Sequence, residues 1–231
     1  MASGHNGGAR RASARSASLA VIAAAAVVAG AGDARGAEPA SAALRRVEPS
    51  RLVVEAGALE LLGDDAFALR RPGVRAIAPR TRGSAARIEF TYRGPTRDTE
   101  PLASGELRRQ IGLKLRAQDT CNVVYVMWHV APTTGLQVQV KSNPGKRTHA
   151  ECRDGGYRTL ASGVRVPPIR EGERHTLAAR LDGKRLTGLA DGVLAWEGQL
   201  PDEAFAADGP AGFRSDNGAF DAEFSAEPVS P

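Results

Sequence analysis

The chain has 231 residues, enough for one large or two small domains, and a formal net charge of +5 at neutral pH. Four arginines and one aspartate fall within the first 36 residues, so the rest of the chain carries about +2. That charge includes no dense basic stripe, which argues against a nucleic-acid partner.

The N-terminus has the three parts of a secretory signal. Arg10, Arg11 and Arg15 form a basic start, an apolar run follows over 19–31, and small residues come next in GDARGA. The apolar run is too short to span a bilayer comfortably. We predict a signal peptide over 1–36 and a secreted or periplasmic protein without stable membrane insertion. An uncleaved anchor and a loose Ala-rich tail are the alternatives.

Residues 37–50, AEPASAALRRVEPS, show no periodicity and predict a linker before a single domain over 51–231. From about residue 52 the hydrophobic pattern alternates with a period of two, and Gly, Pro, Asp and Asn separate the runs. In SAARIEFTYRG, for example, Ile88, Phe90 and Tyr92 share one face. This is strand periodicity.

Three alternating runs in the middle of the chain predict neighbouring strands of one sheet. One face is apolar and should point to the core: Ile111, Leu113 and Leu115, then Val124, Val126 and Trp128, then Leu136, Val138 and Val140. The opposite face would carry Gln110, Lys114, Arg116, Tyr125, Met127, His129, Gln137, Gln139 and Lys141.

Cys121 and Cys152 are the two cysteines of the chain. In an exported protein such a pair can oxidise, so we predict a disulfide that closes a loop of about 32 residues. Two free thiols remain an alternative. A metal site of these cysteines with His149 and His129 is another, although the spacing matches no common zinc pattern. We expect no metal and no cofactor.

Helical signals are restricted to two windows. Leu102–Leu107 is short and contains Gly105, and Pro201–Ala207 begins with Pro and acids, as one helical turn can.

Two Asp-Gly pairs near the C-terminus, Asp182-Gly183 and Asp191-Gly192, predict tight hairpin turns because both residue types tolerate a positive φ. The runs around them should form a three-strand antiparallel meander. A final strand, GAFDAEFSA, follows the turn SDNG, with Phe220 and Phe224 on one face. More than ten short strands in one domain predict an all-β, antiparallel, two-sheet jelly-roll β-sandwich.

The closing strands resemble those of the concanavalin A-like lectin/glucanase superfamily, in particular the laminin-G-like and keto-disaccharide-hydrolase-like sandwiches of secreted bacterial proteins. By motif the resemblance covers roughly 164–226, and over 52–163 it covers only the strand pattern. The resemblance indicates the fold better than it indicates an activity, because the matching positions are turn and core residues. The matching residues are His175, Thr176, Leu177, Asp182, Gly183, Asp191, Gly192, Gly212, Asp216, Asn217, Phe220 and Phe224.

No catalytic group can be assigned from the sequence. The Glu-x-Asp strand usual in glucanases of this fold is missing, and Asp221 with Glu223 is the nearest carboxylate pair. A solvated strand face explains that pair as well. Asp216-Asn217 could ligate calcium, but a turn also explains it.

The mixed outer face of the middle strands is the best candidate ligand surface, because amides, cations and flat rings together suit sugars. In the family this would be the concave sheet where glycans lie. The alternative is a sheet face covered by the loop NPGKRTHAECRDGGY, in which Tyr157 would cap the face or fill space. The predicted ligand-binding residues are Lys114, Arg116, Tyr125, His129, Gln137, Gln139 and Lys141.

The leading hypothesis is a secreted, lectin-like, non-catalytic module that binds a cell-wall or extracellular polysaccharide. The cations on the face favour an acidic ligand. A hydrolase or lyase with unassigned catalytic residues is the alternative, and a structural envelope module is the third reading. The sequence does not indicate which glycan is bound or the oligomeric state.

Overall fold

The computed structural model describes residues 44–229, which form a two-layer sandwich with antiparallel pairing throughout both sheets. The predicted all-β, antiparallel, two-sheet jelly roll is therefore confirmed. The signal peptide predicted over 1–36 lies outside the described residues. Within residues 44–229, no helix is long and apolar enough to cross a membrane.

Most of the described chain is in strands, joined by short turns and a few longer loops. One α-helix, α1 (His149–Cys152), and two 3₁₀ turns, Pro49–Arg51 and Asp202–Phe205, interrupt them. The strands are β1 (Arg45–Arg46), β2 (Val53–Ala56), β3 (Leu59–Leu61), β4 (Phe67–Leu69), β5 (Gly73–Ile77), β6 (Thr81–Pro95), β7 (Arg109–Leu115), β8 (Val123–Ala131), β9 (Gly135–Lys141), β10 (Tyr157–Val164), β11 (Arg174–Asp182), β12 (Arg185–Ala190), β13 (Val193–Gln199), β14 (Gly212–Asp216) and β15 (Gly218–Pro228).

The two sheets are built from strands that are distant in sequence. Sheet A has the order β13-β12-β11-β6-β15-β4-β3, and β1 also pairs with β15. Sheet B has the order β10-β9-β8-β7-β14-β5-β2. The consecutive strands β14 and β15 lie in opposite sheets, and Asn217 between them adopts a φ of 54°. The predicted SDNG turn is therefore a crossing between layers and not a hairpin.

Alternate side chains of both sheets fill the space between the layers, as the period of two predicts. The apolar residues predicted to face the core from β7, β8 and β9 are all buried there. Phe220 and Phe224 are fully buried on the inner face of sheet A, also as predicted. Trp128 lies edge-on to Phe90, and its indole N–H donates to the carbonyl of Pro167 at 3.2 Å.

The predicted meander is β11-β12-β13, joined by two tight turns. In the second turn Asp191 and Gly192 have φ values of 52° and 77°, the pair of positive angles that suits the twist of a hairpin. In the first turn Gly183 takes the positive angle, 54°, and Lys184 completes the loop. Both Asp-Gly signals thus identify real hairpins.

The predicted linker over 37–50 is wrong at its C-terminal end. Arg45 and Arg46 pair with Ala226 and Ser225 of β15, and Val47 is buried in the core. The sandwich therefore begins before residue 51. Two paired residues followed by a 3₁₀ turn are too short to show any periodicity.

The helical expectations were partly right. One 3₁₀ turn, Asp202–Phe205, falls within the window Pro201–Ala207, whereas Leu102–Leu107 contains no helix. Helix α1 was missed, although its start carries a capping box: the Glu151 carboxylate accepts from the Thr148 backbone N–H at 2.8 Å.

Cys121 and Cys152 form the predicted disulfide, with Cα atoms 5.8 Å apart. It joins helix α1 to the segment just before β8. The two sulfur atoms are bonded to each other. The two alternatives, a pair of free thiols and a metal site built on these cysteines, therefore do not apply to this structure.

Candidate functional site

A cleft of about 610 Å³ lies on the outer face of sheet B. Residues 100–106, ahead of β7, bound it at one end of the strands, and residues 149–157, ahead of β10, bound it at the other. The loop NPGKRTHAECRDGGY thus forms a wall of the cleft, and floor side chains such as Tyr125, Gln137 and Lys141 are buried. The lining residues that matter below are Glu55, Arg75, Glu100, Glu106, Arg108, Gln110, Tyr125, Met127, Gln137, Gln139, Lys141, His149, Asp154, Tyr157, Arg214 and Asp216.

The floor of the cleft consists of cross-strand rows, because residues in register on neighbouring strands share a face. One row runs Arg75, Arg214, Gly112, Met127, Gln137 across β5, β14, β7, β8 and β9. Glycine is needed in the middle of this row, since a Cβ on Gly112 would lie 2.6 Å from Met127 Sδ.

A stacked pair of rings lies between two cations along the floor. The Arg214 guanidinium lies 5.5 Å from the centroid of the Tyr125 ring, and Tyr125 stacks with Tyr157 at 6.3 Å. Lys141 Nζ then lies 5.0 Å from the Tyr157 centroid. Such cation–ring contacts are attractive when partly desolvated, so the two rings are held in fixed orientations. Tyr125 is buried, whereas Tyr157 is 37% exposed and offers a ring to the cleft.

Asp216 organises the polar end of the floor. Its Oδ2 accepts from Arg214 Nε and from Gln110 Nε2, both at 2.7 Å, and Arg75 approaches Oδ1 at 3.8 Å. The carboxylate is thus surrounded by donors and almost fully buried. The neighbouring Asn217 side chain bonds to backbone groups of Glu100 and Arg108. Both side chains of the Asp216-Asn217 pair thus bind protein groups. These contacts explain the pair as part of the fold, so calcium is not needed to explain it.

Lys114 lies under the cleft and does not line it. The lysine is fully buried, and its Nζ donates to the carboxylate of Glu55, which comes from β2 at the edge of the sheet. Burial lowers the pKa of Lys114, and the negative charge of Glu55 opposes that shift. Lys114 was predicted to bind the ligand. In the structure it instead pairs with Glu55 inside the domain.

Arg116 and His129 also differ from the prediction. Arg116 directly follows β7 and has a φ of 49°, which turns its guanidinium away from the cleft to the Ala207 carbonyl, 2.6 Å from Nη2. His129 lies beneath Arg108, 3.3 Å from its Nη1. Burial, and then the charge of Arg108, lower the pKa of His129 to about 4, so the imidazole is neutral at physiological pH.

Four of the seven predicted binding residues do line the cleft: Tyr125, Gln137, Gln139 and Lys141. Gln137 Oε1 accepts from Arg108 at 3.0 Å, and Gln139 Nε2 donates to Thr159 at 2.9 Å, so both amides are oriented.

The main residues that the sequence analysis missed are Arg75 and Arg214. Each lies in a run of period two, GVRAI and GFRSD, which predicts an outward arginine. No local signal places β14 beside β7 or β5 beside β14.

Asp221 and Glu223 lie outside this site. Both are on the outer face of sheet A, where Asp221 pairs with Arg70 and Arg93 and Glu223 pairs with Arg46 and Arg174. They form part of a charge network on a strand face, as the solvated-face reading predicted.

Comparison with solved structures identifies the fold. The carbohydrate-binding module CBM66 from Bacillus subtilis aligns with a TM-score of 0.52 at 12% identity, over 75% of this chain and 91% of that one. The metal-free carbohydrate recognition domain of Emp46p aligns at 0.47 and 12% identity, over 78% and 90%. Crh5 transglycosylase in complex with NAG aligns at 0.44 and 13% identity, over 81% and 85%.

No protein-family model matches the chain, and no curated protein matches it. The likeness to the Bacillus subtilis module shows that the chain has the concanavalin A-like β-sandwich fold, which confirms the resemblance of the closing strands. At 12% identity the likeness shows the fold alone.

Proposed function

We propose that the chain is a secreted or periplasmic, non-catalytic module that binds a cell-wall or extracellular polysaccharide in the cleft on sheet B. The observation that carries the proposal is the stacked Tyr125–Tyr157 pair on a floor that also presents two oriented amides, Gln137 and Gln139.

The combination of stacked aromatic rings and oriented amides suits a sugar better than it suits a fully apolar ligand or a flat one. One face of a pyranose ring is apolar and packs on an aromatic ring, while its hydroxyls need donors and acceptors at fixed positions. Tyrosine supplies a rigid apolar surface with a polar end. The fold supports the proposal, since the Bacillus subtilis structure that shares it is named as a carbohydrate-binding module.

The state of the cleft carboxylates favours binding over catalysis. Glycosidic cleavage needs a carboxyl group that can hold and donate a proton. Three of the five carboxylates that line the cleft within the described residues are ion-paired: Glu55 with Lys114, Glu106 with Arg108 and Asp216 with Arg214. These three carboxylates are thus engaged by cations of the fold, which supports a binding role for the cleft.

Export rests on two features. The basic, apolar and small-residue segments of the N-terminus favour a signal peptide. The Cys121–Cys152 disulfide suits an oxidising compartment, such as the periplasm or the cell exterior.

Substitution of Tyr157 tests the binding site. Tyr157→Ala is expected to weaken polysaccharide retention about fivefold, because an exposed ring contributes about 1 kcal/mol of stacking. Tyr157→Phe, which keeps the ring, should retain most of the affinity. Binding is measured by retention on insoluble polysaccharides and by calorimetry with soluble oligosaccharides, and stability by thermal melting, which should change little.

Leu194→Ala is the matched control, because it removes an exposed apolar side chain from β13 of sheet A. It should bind like the parent protein. Equal binding by Tyr157→Ala would place the ligand elsewhere. Release of reducing ends during incubation would instead support the hydrolase or lyase alternative, and retention of no polysaccharide would favour a structural envelope module.

A further inference from the structure

Two arginines face each other across adjacent strands of the cleft floor. Arg75 of β5 and Arg214 of β14 are register partners, and like charges in that position repel. One carboxylate, Asp216, lies within salt-bridge distance of both guanidinium groups. A single negative charge compensates one of the two arginines, which leaves this part of the floor with an excess positive charge.

Lys141 adds a third cation close by. Its Nζ donates to the backbone carbonyls of Thr120 at 3.1 Å and Arg153 at 2.8 Å. Among residues 44–229 no carboxylate lies within 4 Å of this ammonium group. Two of its three N–H bonds are satisfied by neutral acceptors and Lys141 is only 2% exposed, so what it offers a ligand in the cleft is mainly an uncompensated charge.

Burial, and after it the neighbouring positive charges, affect the titration of this group. Burial, and then the charges of Arg214 and Arg75, lower the pKa of Lys141 to about 8, with Asp119 and Asp154 opposing weakly. The pKa of His149 in the cleft wall is also lowered, first by burial and then by Lys141. The floor therefore disfavours positive charge, which an anionic ligand would relieve.

We propose, on the basis of the glycan-binding function above, that the ligand is an acidic glycan. A carboxylate of one uronic-acid-type residue is bound among Arg75, Arg214 and Lys141, beside the Tyr125–Tyr157 ring pair. Guanidinium groups match a carboxylate with paired, charge-assisted hydrogen bonds, and the ammonium group adds a point charge. Of the three cations that the sequence predicted to bind the ligand, Lys114, Arg116 and Lys141, only Lys141 belongs to this group.

The rest of the cleft limits how much negative charge the ligand can carry. The lining holds five carboxylates against four Lys and Arg side chains, and Glu100 and Asp154 lie toward its ends. A densely charged polymer, such as a highly sulfated glycan or a nucleic acid, would meet these acids. We therefore expect a glycan whose carboxylates are spaced by neutral residues.

Binding of a carboxylate should be coupled to protonation of Lys141. Below its pKa of about 8 the side chain is charged, and the ligand binds with full affinity. Above that pH the complex must take up a proton, so affinity falls as pH rises, at most tenfold per unit. The pKa values of Tyr125 and Tyr157 are raised, mainly by burial, so neither phenol ionises in this range.

Calorimetry with matched ligands tests the proposal. The probes are oligosaccharides of galacturonate, alginate and hyaluronan, each beside the same oligosaccharide after chemical reduction of its carboxyl groups to alcohols. At least one acidic probe should bind ten times or more tighter than its reduced form at pH 7. Its affinity should drop several-fold by pH 9, with proton uptake visible as a dependence of the heat on buffer ionisation.

Two variants locate the effect. Lys141→Met should remove the pH dependence, and Arg75→Gln, at a partly exposed side chain, should weaken acidic but not neutral probes. Lys184→Met removes a positive charge from the β11–β12 turn of sheet A and should change nothing.

The outcomes separate this inference from the function on which it rests. Equal binding of acidic and reduced probes, without a pH effect, would overturn the acidic ligand and leave glycan binding intact. If neither form binds, the proposed function fails and this inference fails with it. An acidic preference that survives both Lys141→Met and Arg75→Gln would also refute the assigned contacts.

Discussion

Replacing Glu55 with glutamine is expected to lower the free energy of unfolding by about 3 kcal/mol, because it leaves the buried Lys114 without its counter-charge. The lysine is enclosed in the sheet near Arg75 and Arg214, whose charges disfavour its protonated form. Denaturation in urea or guanidinium chloride at pH 7, with the parent protein alongside, measures the loss.

The pH dependence identifies the cause of that loss. With its pKa lowered in the folded state, Lys114 binds fewer protons there than in the unfolded chain, where the value is near 10.4. The free energy of unfolding then rises with pH up to that value. It should rise more steeply in the Glu55→Gln variant than in the parent protein. The loss of unfolding free energy in Glu55→Gln relative to the parent protein should therefore change with pH. A loss that stays constant from pH 7 to pH 10 would contradict the buried-charge explanation.

Two further variants serve as controls. Adding Lys114→Met to Glu55→Gln removes the unpaired charge and should recover most of the stability. Glu48→Gln breaks an exposed pair with Arg51 and should cost less than about 1 kcal/mol.

Removing the disulfide is expected to have the other large effect. The double variant Cys121→Ala/Cys152→Ala should lose about 3–4 kcal/mol of unfolding free energy, the value expected for a closed loop of this length. The bridge spans 31 residues of sequence and fixes helix α1 against the segment before β8. Chemical denaturation of the variant, and of the parent with and without a reducing agent, measures this loss.

The disulfide should also affect ligand binding. His149 and Asp154 belong to the same wall of the cleft as Cys152, so loosening this wall should weaken oligosaccharide binding at temperatures where the variant remains folded. The side-chain amide of Asn122 still holds this segment through the Lys146 carbonyl at 2.8 Å, so the wall should not detach completely. An unchanged denaturation midpoint after confirmed reduction would show that these hydrogen bonds suffice without the bridge.

Local sequence was sufficient to predict much of the molecule. Alternation in the β7, β8 and β9 runs identified both the strands and the residues that face the core. The Asp-Gly pairs identified two hairpins, and the cysteine pair identified the disulfide. Each of these features depends on neighbouring residues, or on a chemical bond that two cysteines readily form in an oxidising compartment.

The candidate site was only partly predictable, and the three lysine and arginine residues chosen from the sequence show why. Lys114, Arg116 and Lys141 were all predicted to point outward from the same sheet face. In the structure one is neutralised by Glu55, one is turned away by its positive φ, and one lines the cleft. The partner of Lys114 lies 59 residues earlier in the chain, beyond the range of any local pattern.

The sequence by itself therefore determined the all-β class, the inward and outward faces of β6, β7, β8, β9 and β15, and the turns of the closing meander. Tertiary structure alone decided that β14 lies beside β7 and β5 beside β14, and so brought Arg75 and Arg214 onto the floor with Lys141. The physical reason is that a period of two specifies which face a side chain occupies. The lateral order of strands, by contrast, depends on how both sheets pack over one shared core.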